Sequence, residues 1–148
     1  MLIVEVDGSS RANPGPAGIG VRLRVDQQVV KEISRSIGIR TNNQAEYEAM
    51  LCGLAEAINR GAADAIIFTD SALVYNQLVG RFKVRDEHLK PLYERCRSLL
   101  DRLPGVRLRL VSRQENKAAD KLAQAASHTA SSTLRPAAAS DCQHQDKA

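Results

Sequence analysis

Four acids in this chain stand where a charge is costly unless it has a task. Asp7 closes the run Leu2-Ile3-Val4-Glu5-Val6, and Asp70 closes Ala65-Ile66-Ile67-Phe68-Thr69. Both fall at the carboxyl end of an apolar strand, the edge where open α/β sheets bind ligands. Glu46 shares a helical line with Met50, Gly53 and Ala57, a small-residue stripe suited to packing on a sheet. Asp120 follows Asn116 by one turn, in a segment whose Leu122 and Ala123 are candidates for burial. If the four acids converge, their repulsion raises some of their pKa values and destabilises the fold unless cations neutralise them. Oxygen ligands with open water positions suit Mg²⁺ or Mn²⁺ rather than Zn²⁺, and no His/Cys cluster argues otherwise. Each acid also has a plainer reading on its own. Asp70 could cap a helix, Glu46 and Asp120 could be solvated acids favoured by a helix dipole, and Asp7 could share a turn with Gly8.

The elements that must position these acids follow from periodicity. Leu2, Val4 and Val6 alternate with Ile3, Glu5 and Asp7, as in a strand covered on both faces. Ile19 to Val25 alternates more cleanly, and after Asp26-Gln27-Gln28 a third extended run passes through Val29, Val30, Ile33 and Ile37, extending an antiparallel hairpin. From Thr41 the period becomes helical through Tyr47, Leu51, Leu54 and Ile58, with Gly61 as the C′ residue. Thr41 and Gln44 fit a capping box at its start. Ala65 to Asp70 is a short strand, and Ser71 to Val79 a short helix capped by Asp70 or Ser71. Leu92, Cys96, Leu99 and Leu103 predict a further helix with Pro91 in its first turn. Val106, Leu108 and Leu110 predict a last strand, and Asn116 is expected to cap a final helix through Ala126. The expected fold is therefore α/β, a mixed five-stranded sheet whose first three strands are antiparallel, with helices on its faces.

The chain of 148 residues suits one domain, read as residues 1–127, followed by an Ala- and Ser-rich segment, 128–148, expected to be a disordered tail. No apolar run approaches the ~20 residues of a membrane span. The N-terminus lacks the basic region of a signal peptide, and Cys52, Cys96 and Cys142 are odd in number and in no ligand spacing. A soluble cytoplasmic protein is expected. The net charge of +4 is compatible with a polyanionic partner.

Four blocks of sequence then carry a resemblance: DGSSRANPGPAGIG at Asp7 to Gly20, TNNQAEYEAM at Thr41 to Met50, TDSALV at Thr69 to Val74, and ENKAADKLA at Glu115 to Ala123. Over residues 1–127 the chain resembles type 1 ribonuclease H. The resemblance implies the ribonuclease H fold and a catalytic, metal-binding set formed by Asp7, Glu46, Asp70 and Asp120. It implies two Mg²⁺ ions, with Mn²⁺ as a substitute, cleaving the RNA strand of an RNA/DNA hybrid to leave 5′-phosphate and 3′-hydroxyl ends. It implies a monomer. Asn13, Asn42, Asn43 and Gln44 become candidates for minor-groove contacts, since an amide both donates to and accepts from a 2′-hydroxyl. Gly8, Ser9, Ser10 and the Ser71 hydroxyl are candidates for further substrate contacts. Many family members carry a His in the loop before the last Asp, whereas this loop reads LVSRQENKAAD, with Arg113 the nearest replacement. The segment GRFKVRDEHLK, Gly80 to Lys90, is too short for the basic helix-and-loop insertion of some members. Competing readings are a noncatalytic hybrid-binding module and another nuclease or integrase of the same fold.

Overall fold

The computed structural model describes residues 1–130. The first three strands form a meander, β1 (Leu2–Ser10), β2 (Gly15–Val25) and β3 (Gln28–Arg40), all antiparallel. Asp26 and Gln27 both adopt positive φ, 51° and 70°, which matches the twist of a two-residue hairpin loop between β2 and β3. Helix α1 (Asn42–Asn59) follows, then β4 (Ala65–Thr69), α2 (Ala72–Leu78), α3 (Lys90–Asp101), β5 (Val106–Leu110) and α4 (Lys117–Ala130). The sheet order is β3-β2-β1-β4-β5, with β4 parallel to both neighbours. The expected mixed five-stranded sheet is therefore present, and no described helix is long and apolar enough to cross a membrane.

Successive side chains of a strand point to opposite faces, and the two faces of this sheet are covered differently. Val4 and Val6 face α1, where a Cβ on Gly53 would come within 2.6 Å of Val6 Cγ1, so the small-residue stripe does pack on β1. Tyr47, Met50, Leu54, Val21, Leu23 and Ile67 complete a core from which solvent is excluded. On the other face α4 lies directly on β2. A Cβ on Gly20 would sit 2.3 Å from the Ala119 carbonyl oxygen and 2.6 Å from the Ala123 nitrogen. Helices thus occupy both faces.

The Thr41 capping box forms as expected: Thr41 Oγ1 accepts from the Gln44 N–H at 3.1 Å, and Gln44 Oε1 accepts from the Thr41 N–H at 2.8 Å. Several boundaries differ from expectation. β1 does not end at Asp7 but continues to Ser10, because Gly8, Ser9 and Ser10 keep pairing with Ile19, Gly18 and Ala17. Its parallel pairing with β4 stops at Glu5 opposite Phe68, so Asp7 still lies beyond the carboxyl end of the parallel part. α3 stops at Asp101, and Leu103 packs from the turn that follows. α4 runs to Ala130, which places 128–130 in the helix instead of the tail; the rest of the expected tail, with Cys142, lies outside the described residues.

The contact at Gly20 makes a prediction. Gly20→Ala forces a methyl group into helix backbone rather than into a side chain that can move, so it should cost about 2 kcal/mol or more in urea unfolding. Gly61→Ala, at φ +64° with open space around it, should cost only about 1 kcal/mol. Equal losses at the two positions would contradict the packing of α4 on β2.

Candidate active site

Three chain segments meet at the carboxyl end of the parallel strands. Asp7 arrives on β1, Glu46 on the second turn of α1, and Asp70 in the residue after β4. A carboxylate oxygen from each lies within 4.8 Å of the others. Gly8 makes this approach possible: a Cβ there would stand 2.2 Å from the Ala45 carbonyl carbon, so only glycine lets α1 touch β1. The Gly8 N–H then donates to Glu46 Oε1 at 3.0 Å and fixes the acid against Asp7.

The helix-cap alternative for Asp70 is resolved by its neighbour. Ser71 is the N-cap of α2, its Oγ accepting from the Val74 N–H at 3.1 Å, which frees the Asp70 carboxylate from that role. Asp70 Oδ2 is buried without a hydrogen-bond partner among the described residues. Nor is Asp7 a turn residue, being only 4% exposed within β1. Asp120 stands beside this triplet rather than within it. It touches Asp7, and Gln124 Nε2 donates to both of its oxygens at 3.2 Å.

Burial and mutual repulsion govern the acids. The Asp7 carboxyl is pushed up to about 10, by desolvation first and then by the Glu46 and Asp70 charges. Glu46 is raised to about 7 by desolvation and Asp70, against the lowering influence of its hydrogen bonds and of Arg113. Asp70 is raised by desolvation, while its contact with Asn116 and the Arg113 charge pull it back. Elsewhere buried acids have cationic partners: Glu5 meets Arg22 at 2.6 Å and Arg24 at 3.4 Å, and Glu56 meets Lys31 at 3.1 Å. Among the described residues the site triplet has no such ion pair, only the nearby exposed Arg113. A hard, oxygen-rich, uncompensated cluster with an orphaned carboxylate oxygen fits a divalent cation such as Mg²⁺ or Mn²⁺.

One functional residue is disguised in the sequence. Asn116 precedes α4 as expected, and its carbonyl accepts from the Asp120 N–H at 3.1 Å. Its side chain is not a cap: fully buried, it donates from Nδ2 to the Val6 carbonyl at 2.8 Å and reaches Asp70. An asparagine at a helix start looks like a cap in sequence, and only the packing of α4 on β1 separates the two roles. The start of this loop is closed instead by Ser112 and Glu115, each donating its N–H to the other's side chain, at 2.9 and 3.1 Å. Arg113 sits on that closed turn facing the acids.

The remaining candidates split into two groups. Ser10 is engaged, its N–H donating to Asn42 Oδ1 at 2.9 Å and its hydroxyl facing the carbonyls of Ala12, Gly15 and Arg40. The Gly8 N–H is likewise taken by Glu46, and Ser9 is half-buried beside it on β1. Asn42 in turn donates its N–H to Asn13 Oδ1 at 3.0 Å, tying the β1–β2 loop to α1. Asn13, Asn42 and Gln44 thus have their side-chain oxygens occupied and their NH₂ groups left to donate. Asn43 is exposed with neither end engaged among the described residues, and the Ser71 hydroxyl proton is also available.

This geometry has known counterparts. A family model described as reverse transcriptase-like matches residues 5–126. The crystal structure of RNase H1 from the halophilic archaeon Halobacterium salinarum superposes with a TM-score of 0.82 at 38% identity, covering 86% of this chain and 98% of that one. The chain belongs to the type 1 ribonuclease H family. LC11-RNase H1, solved in complex with RNA/DNA hybrid, matches this ribonuclease H fold at 32% identity with a TM-score of 0.81, over 89% of this chain and 100% of that one. The bifunctional protein Rv2228c of Mycobacterium tuberculosis is 38% identical over 142 residues, 92% of this chain. The ribonuclease H chain described here spans only 39% of the length of that relative.

A carboxyl whose pKa is raised by folding stabilises the folded state at low pH. The folded state holds on Asp7 a proton that the unfolded chain, near 3.8, releases. The associated stability is present below about pH 4 and is lost as pH rises toward about 10. The melting temperature of the metal-free protein should therefore fall between about pH 5 and pH 9, and fall less in Asp70→Asn, which removes one repulsive charge. Mg²⁺ should raise it more at the higher pH, by mass action on the folded state. A flat profile, or an Asp70→Asn protein that melts lower than wild type without metal, would contradict the convergence of the acids.

Proposed function

We propose that this chain is an endoribonuclease that cleaves the RNA strand of RNA/DNA hybrids by two-metal-ion hydrolysis, leaving 5′-phosphate and 3′-hydroxyl ends. The observation that carries the reading is the approach of Asp7, Glu46 and Asp70 to within 4.8 Å in a ribonuclease H fold, with no ion pair among the described residues to offset their charge. Asp7, Glu46, Asp70 and Asp120 would hold two Mg²⁺ ions, or Mn²⁺. Those ions, when bound, supply Lewis acidity at the attacking water and at the leaving 3′ oxygen.

The protein's own residues do the rest. Gly8 and the packing of α1 hold Glu46 rigid, and Asn116, anchored to the Val6 carbonyl at the end of β1, stands beside Asp70. Asn13, Asn42, Asn43 and Gln44 present donors toward the minor groove, where 2′-hydroxyls and base acceptors distinguish an RNA strand. Gly8, Ser9 and Ser10 line the approach, and Ser71 offers a hydroxyl. Arg113, held by the Ser112–Glu115 turn, supplies a positive charge beside the acids where a phosphate departs. Binding a polyanion gains nothing from additional carboxylates, which disfavours a module that only binds.

Cleavage of an end-labelled hybrid, with single-stranded RNA and double-stranded DNA as controls, tests this. Wild type should cut only the hybrid's RNA and only with metal, and Asp70→Asn should lose about 10³-fold or more in rate. Arg113→Ala should slow turnover by about tenfold while binding hybrid nearly as well. Hybrid binding without cutting in either metal would replace this reading with the noncatalytic one.

A further inference from the structure

The loop after α2 is built in a way that the metal site does not explain. Arg81, Phe82 and Lys83 are all exposed, Phe82 by 50%. An aromatic ring between two cations on the surface contributes nothing to the core, yet the segment is firmly tethered. Gly80, at φ +88°, turns the chain out of α2. The N–H groups of Arg81 and Phe82 both donate to the Asn76 carbonyl, at 2.8 and 3.1 Å, and that of Gly80 donates to the Gln77 carbonyl at 3.2 Å.

A buried carboxamide lies behind this tether. Gln77 is 4% exposed. Its Oε1 accepts from the Tyr47 hydroxyl at 2.6 Å, and its Nε2 donates to the Lys83 carbonyl at 3.4 Å. Tyr47 is wholly buried on α1, next to Glu46 in the chain. Beside it the loop borders an open pocket of about 380 Å³ whose lining includes Gln77, Phe82, Lys83, Lys90, Tyr93 and Glu94. The two ends of one amide thus connect the helix carrying Glu46 to the loop carrying Lys83. The amide accepts at one end and donates at the other: a methionine would leave the Tyr47 hydroxyl with only a weak acceptor, and an ionised glutamate would set an acceptor against the Lys83 carbonyl. For stability alone, apolar side chains of similar shape at both Gln77 and Tyr47 would serve about as well.

We propose that Gln77 is a positioning residue for the substrate, holding the 80–84 loop at a fixed place relative to Glu46 so that Arg81, Phe82 and Lys83 meet one strand of the hybrid. Helix α2 stands between Asp70 and this loop. The loop would then act on phosphates outside the cut itself. This rests on the hybrid reading above, which the test keeps separate.

Binding of a fluorescent RNA/DNA hybrid would be followed by anisotropy in the Asp70→Asn background, which leaves the duplex intact, across a salt series. Cleavage would be measured in the native background. Gln77→Met and Tyr47→Phe should each raise Kd and KM about fivefold, and make the dependence of log Kd on log salt shallower by about one for each phosphate no longer held, with kcat within about twofold. The double variant should be little worse than the worse single one, because both break the same connection. Lys83→Ala should lose about one unit of that salt slope with the melting temperature unchanged. If Gln77→Met does not fold, Tyr47→Phe, which removes a single oxygen, carries the test. Variants that melt lower but keep the wild-type Kd, salt slope and KM would show that Gln77 only supports the fold, and would overturn the proposal while leaving the nuclease reading intact. Failure of the unaltered protein to bind hybrid would overturn both.

Discussion

Mutual repulsion among three half-buried to buried carboxylates is the constraint around which this molecule is arranged. Asp7, Glu46 and Asp70 would separate if their backbones allowed it, since desolvation and like charge both act against them. The backbone does not allow it. Helix α1 rests on β1 at Gly8, α4 rests on β2 at Gly20, and β4 is registered to β1 up to Glu5 opposite Phe68. Each contact is between main chains or between main chain and a missing Cβ, the least compressible kind of packing. Stability contributed by an apolar core is thereby committed to holding a strained electrostatic arrangement in place, as is common at functional sites.

Other buried acids are neutralised within the fold. Glu5 and Glu56 are as inaccessible as Asp7, but each has a basic side chain within ion-pair distance. The fold can therefore neutralise a buried acid with its own cations, and at the site it does so only weakly, through the exposed Arg113. A charge left open in this way is a place for an external cation, and the oxygen-only donor set narrows its kind. The nucleic-acid side of the site shows the same economy. Asn13 and Asn42 use their oxygens to join the first loop to α1, which orients their remaining donors without further support.

Most of the fold was legible in periodicity and punctuation. The change from alternation to helical spacing at Thr41, the capping box with Gln44, and Gly61 past the helix end located α1 closely, because each is a local signal that the structure uses locally. The four acids were legible for a different reason: a charge at the end of an apolar strand or on a packed helix face is anomalous in one dimension. What stayed hidden depends on partners distant in sequence. Gly8-Ser9-Ser10 reads as a turn and becomes strand only because β2 pairs with it. Asn116 reads as a cap, and its actual partner, the Val6 carbonyl, is 110 residues away. Gln77 carries no local signal within a short helix, and its role rests on Tyr47 and Lys83 closing around it. The choice between Asp70 and Ser71 as cap of α2 was open in sequence, and it decides whether Asp70 is available for chemistry.

Proton release on metal binding tests most directly whether the acids converge on one cation site. Metal-free protein at about pH 7.5 in weak buffer would be titrated with Mg²⁺ while the solution pH is followed. A cluster in which Asp7 is raised to about 10 and Glu46 to about 7 holds a proton that a divalent ion must displace, so about one proton per molecule should be released as the site saturates, and less in Asp70→Asn. Saturation without proton release, or release unchanged by Asp70→Asn, would show that the ion binds elsewhere and that these carboxylates do not form one site.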